Sequence, residues 1–156
     1  MKILGIVFLC LSGFGVASVL LGREEERLSV ISALVELLEI IKRGVENYSM
    51  SASEILKSCD RELLRRCGYQ GEDTPQGFLD MSINCRVPHG EAADVFSEFA
   101  SDFGKSYRVR QAERCAEALA RLRDIEGRVR SQLPDRRRVI ICGSASFTLI
   151  IIILLL

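Results

Sequence analysis

With 156 residues, 48% of them hydrophobic, the chain has room for one modest globular domain and little besides. Its 21 basic and 21 acidic residues cancel, which excludes the basic excess expected of a nucleic-acid binder. The balance hides a segregation, because every Asp and Glu, and every Lys and Arg except Lys2, lies between Arg23 and Arg138.

The first predicted element is the uncharged run over residues 3–22. At ~1.5 Å of rise per residue such a run reaches roughly across a hydrocarbon core of ~30 Å, so a transmembrane helix is expected here. Lys2 followed by an apolar stretch also fits a signal peptide. The run is longer than a typical signal core and has no clean Ala-x-Ala site before Arg23, so a retained anchor is the expectation. A secreted helical protein, the competing reading, requires cleavage near Gly22. Within the run, Gly13-x-x-x-Ala17 and Ser18-x-x-x-Gly22 are small-residue spacings that permit close helix approach, although ordinary membrane composition produces them too.

Residues 23–138 form the expected soluble domain. Leu28, Ile31, Leu34, Val35, Leu38, Ile41, Val45 and Tyr48 define one helical stripe that can continue directly from the first run, since no Pro separates them. Asn47-Tyr48-Ser49 matches a glycosylation acceptor, a tripeptide common by chance. Ser51-Ala52-Ser53-Glu54 is a capping box opening a helix that buries Ile55, Leu56, Cys59, Leu63, Leu64 and Cys67, with Gly68 as a left-handed terminator. Thr74-Pro75 reads as cap and first position of a short helix through Phe78, Leu79 and Ile83, which Val87-Pro88-His89-Gly90 ends. A fourth helix carries Ala92, Phe96, Phe99 and Phe103 on one face and closes at Gly104. The fifth runs from about Tyr107 to Leu133, with Val109, Ala112, Cys115, Ala116, Leu119, Leu122, Ile125 and Val129 inward and Pro134 as its stop. Its other face shows acid-before-base pairs, Glu117 with Arg121, Asp124 with Arg128 and Glu126 with Arg130.

The run over 139–156 again carries no charge and ends in unbroken aliphatic residues from Leu149, so a second transmembrane helix is expected. Arg23, Arg27, Lys42 and Arg43 follow the first run, and Arg136, Arg137 and Arg138 precede the second. The positive-inside bias then puts residues 23–138 in the cytoplasm. The expected fold class is therefore all-α, a bundle of about five helices flanked by an N-terminal and a C-terminal transmembrane helix.

No catalytic constellation is legible, and neither a cofactor nor a metal is expected. His89 is the only histidine and sits in a Pro/Gly turn, and a lone His cannot supply a multi-histidine metal site. There is no phosphate-binding glycine loop of the Walker type. Cys10 and Cys142 fall in the two apolar runs; of the remaining Cys59, Cys67, Cys85 and Cys115, the first two are eight apart on one helical face beside Leu56, Leu63 and Leu64, which is core spacing and not a Cys-x-x-Cys pair. In a cytoplasmic domain they behave as reduced, small hydrophobes.

The stretch Phe99-Ala-Ser-Asp-Phe-Gly104-Lys-Ser106-Tyr-Arg-Val-Arg-Gln111, followed by a long amphipathic helix and an apolar tail, resembles the stage III sporulation protein AB family. Gly104, Ser106 and Gln111 match that family's marker in register, as does the earlier Glu39-Ile-Ile-Lys-Arg-Gly44. Phe103 stands in place of the usual Leu, and Tyr107 where an acidic residue is common. In physical terms the marker describes a structural corner. Gly104 allows a left-handed turn, Ser106 can cap the next helix, and Gln111 can hydrogen-bond across the joint.

What the resemblance implies is a non-enzymatic part of the channel complex between mother cell and forespore, in the mother-cell membrane around the forespore. Its soluble region is similar to the cytoplasmic domain of the type II secretion platform protein. The implied partners are the sporulation secretion-type ATPase and other channel-complex membrane proteins, with homo-oligomerisation possible. Exposed charge at Arg121, Asp124 and Arg128 is the expected contact for the ATPase. The alternative is a small membrane-bound regulator or accessory protein without an ATPase partner. An adjacent secretion-type ATPase gene separates the two.

Overall fold

The computed structural model describes the backbone at every position except 1, 49, 88, 89, 106, 107 and 156; of those described, side chains are also described at all but 2–14, 47, 48, 108, 152, 154 and 155. The described residues form helices and connections with no strand. In chain order these are α1 (Lys2–Arg43), a π-helical turn (Gly44–Tyr48), α2 (Ala52–Ser58), α3 (Arg61–Arg66), α4 (Phe78–Asn84), α5 (Glu91–Asp102) and α6 (Arg108–Leu155). The chain divides into two compact units, one of residues 28–128 and one of residues 1–27 with 129–156.

In the unit of residues 28–128, α1 is the central helix. Ile31, Leu34, Val35, Leu38, Ile41 and Val45 are buried as their spacing predicts, and Ala33 and Leu37 are buried as well. The buried arc of α1 is therefore wider than one stripe, which fits a helix covered by neighbours on more than one side. Ile55 and Leu56 of α2, Leu63 and Leu64 of α3, Phe78 and Met81 of α4, and Cys115, Leu119, Leu122 and Ile125 of α6 complete the core. Beside them, Phe78, Phe99 and Phe103 form a tilted cluster with ring centroids 4.6 to 5.9 Å apart. Among the described residues no polar or charged side chain is buried.

Three boundaries differ from the sequence expectation, the first two for a local reason. The helix expected from Ser51 to Cys67 is two helices, because the Asp60 carboxylate accepts from the Glu62 amide at 3.2 Å and starts α3 afresh. The capping box at its start is present: Ser51 Oγ accepts from the Glu54 amide at 3.4 Å, and Glu54 Oε2 accepts from the Ser51 amide at 2.7 Å. The helix expected at Thr74-Pro75 begins instead at Phe78, since the Gln76 amide is taken by Asp80 Oδ2 at 3.1 Å and Gly77 stays extended. Pro134 does not end α6, which continues through it to Leu155. Val109, expected inward, is 73% exposed.

The two transmembrane helices are corrected. Among the described residues no helix is long and apolar enough to cross a membrane. The side chains of residues 2–14, which make up most of the first expected span, lie outside the described residues, as do those of 152, 154, 155 and 156 in the second. Both runs belong to the smaller unit, residues 1–27 with 129–156. Within this smaller unit Ala17 is buried, and Arg136 pairs with Glu24 at 3.0 Å where the apolar stretches give way to charge.

Candidate functional site: a charged-rim cleft between two helices

The turn between α5 and α6 is made at Gly104, whose φ is +87°. An L side chain rarely adopts that angle, so glycine is the residue that lets α5 stop and the chain reverse. The Phe103 amide donates to the Phe99 carbonyl at 3.0 Å and closes the last turn of α5. The expected cap at Ser106 lies outside the described residues. Gln111, the third residue of the marker, is half-buried in the first turns of α6.

Beyond the corner α5 and α6 are joined by acid–base rungs. Arg114, Arg121 and Arg128 recur every seven residues along α6. They meet Asp102, Glu98 and Glu91 of α5 respectively, with Arg121–Glu98 at 3.0 Å and Arg128–Glu91 at 2.8 Å. Asp124 also pairs with Arg128, at 3.2 Å, in the expected acid-before-base register. Arg121, Asp124 and Arg128 are all exposed, but the structure places each in an ion pair of its own unit. Sequence reasoning missed the α5 acids as their partners. The available signal was the matching spacing of Glu91 and Glu98 with Arg121 and Arg128, which becomes informative only once α5 and α6 are known to be neighbours.

Between the Arg114–Asp102 and Arg121–Glu98 rungs the surface is indented. A cleft of about 170 Å³ lies there, with Val95, Phe99, Phe103 and Ala118 among its lining residues. Gln111 and Glu117 complete the rim. Glu117 was expected to pair with Arg121, yet Arg121 turns to Glu98, and Glu117 makes no ion pair among the described residues. The mouth carries three carboxylates and two guanidiniums, and Asp102 is shared between Arg114 and Lys105, which leaves Glu117 as the rim acid without an ion pair among the described residues.

Among the described residues no other feature of this unit assembles chemistry. Among the described residues no group of three or more His, Cys, Asp or Glu side chains is placed to hold a metal ion. His89 lies outside the described residues. Cys67 and Cys115 are buried free thiols, and Cys59 and Cys85 are half-buried. Burial pushes all four thiols up, Cys85 to about 12 and Cys115 to about 11, so each is a neutral thiol near neutral pH. No protein-family model, curated protein or solved structure matches the chain.

Proposed function

We propose that the chain is a non-catalytic platform of the sporulation channel complex between mother cell and forespore, coupling a cytoplasmic secretion-type ATPase to that membrane assembly. It works at the mother-cell membrane around the forespore. The observation that carries the reading is where the residues behind the resemblance lie. Gly104 makes the α5–α6 turn, and Gln111 stands on the rim of the cleft beside it. A corner residue and a rim residue next to an open apolar hole suit a docking role better than a reaction.

The decisive experiment is co-purification of the secretion-type ATPase with the full-length chain, at low and at high salt. Retention at low salt with weakening at high salt is expected, because exposed charges are screened over ~8 Å at physiological ionic strength. Absence of the ATPase at every salt concentration, from a folded chain, overturns the platform reading in favour of a small regulator.

A further inference from the structure

The geometry points to the cleft between α5 and α6 as the receptor for one large apolar side chain on a partner protein's helix, a Phe or a branched aliphatic residue with a Lys or Arg one turn away. This deepens the platform reading and rests on it, since it states what the platform's partner must present.

The argument starts from size. A dry cavity of roughly 150 Å³ accepts a benzene ring. The cleft measures about 170 Å³, which suits a single ring or a branched aliphatic group and leaves no room for two. A cleft between two facing helices suits a knob from a third helix, which enters between their residues. Here α5 supplies Val95 and Phe99, and α6 supplies Ala118, whose small side chain leaves the floor low.

The rim then selects the flanking charge. The two arginines at the mouth are already matched, Arg114 by Asp102 and Arg121 by Glu98. Glu117, one residue from Ala118 and directed to the rim, has no partner among the described residues. An incoming helix with a base next to its knob satisfies Glu117. One with an acid there meets an uncompensated carboxylate. Charge of this kind gives orientation and specificity more than raw affinity, while the buried knob carries most of the binding.

The test uses the full-length chain and a labelled, alanine-rich helical peptide bearing one Phe with Arg four residues away. Replacing the peptide's Phe by Ala, or filling the hole with Ala118→Phe, is expected to weaken binding by about tenfold or more, as for a central hot-spot residue. Glu117→Lys is exposed and leaves the core alone. It is expected to weaken the Arg peptide several-fold and to favour a version with Glu in place of Arg, a reversal that a purely structural role of Glu117 does not produce. Equal binding of the peptide to wild type and Ala118→Phe overturns the proposal, as does no binding to wild type. Dissociation of a homo-oligomer by Ala118→Phe, without peptide binding, makes the occupant a second copy and also overturns it. Co-purification of the ATPase separates this from the platform reading: an ATPase that binds wild type and Ala118→Phe equally leaves the platform intact and removes the cleft from it.

Discussion

Gly68 and Gly104 share a left-handed conformation, φ +88° and +87°, but differ in what surrounds them. A Cβ at Gly104 meets nothing within 4 Å, whereas one at Gly68 lies 2.9 Å from the Arg86 carbonyl oxygen. Gly104→Ala therefore costs only the backbone term of about 1–2 kcal/mol. Gly68→Ala is expected to cost clearly more, because the Arg86 backbone must move and the Gly68 carbonyl accepts from the Arg86 amide at 2.8 Å. Thermal melts of the two variants should rank in that order; equal losses contradict the contact. The thiols give a second test at this scale. Their native pKa values are raised above the ordinary 9.0, with Cys115 at about 11 and Cys85 at about 12. The folded state then holds protons that the unfolded state releases, so this stability is complete below pH 9 and is lost as pH rises from there toward those values. Melting temperature should fall from about pH 9 upward, and less steeply in Cys115→Ala once its own lower starting stability is subtracted. Equal slopes refute the assignment.

At the scale of elements, the α5–α6 pair is held by apolar packing that charge pairs register. Each rung is exposed and so contributes little by itself, and the three are too far apart along the helices to be strongly coupled. Glu98→Arg combined with Arg121→Glu should recover part of the stability that either single reversal loses, and a double-mutant cycle on denaturant midpoints measures the coupling. Zero coupling means that the rung is incidental. Because Arg121 and Arg128 are ion-paired within their own unit, reversing them to Glu removes those pairs as well as any docking contact. Glu117 is the cleaner probe. α6 is weakest where Pro134 interrupts it, since proline lacks the amide and crowds the preceding turn, a cost of ~3 kcal/mol in a helix interior. Pro134→Ala is expected to raise helical content and melting temperature; no change locates the limiting weakness elsewhere.

At the scale of the whole molecule, the units differ in how they are built. Residues 28–128 bury apolar side chains from all six helices around α1 and leave no polar side chain buried among the described residues. The smaller unit keeps Val19, Ile141, Phe147 and Leu149 largely exposed. Hydrogen exchange should therefore be slowest in α1 over residues 31–41 and faster over residues 129–151, because protection follows buried contacts. The reverse order contradicts the central position of α1.

What the sequence determined by itself was whatever depends on near neighbours along the chain. The Ser51–Glu54 box, the apolar spacing of α1 and α6 and the reversals at Gly68 and Gly104 all follow from interactions within a turn or from one residue's own φ. Tertiary structure decided the rest. Arg121 reads as a partner of Glu117 by spacing, but α5 brings Glu98 within 3.0 Å and wins it. Asp60 reads as one polar position in a continuous helix, yet it serves as the cap where α2 and α3 part. The cleft over Ala118 exists only because α5 and α6, joined by the turn at Gly104, pack side by side with particular faces meeting. Which faces meet is set by the whole set of buried surfaces, and no single stretch of the chain contains that information.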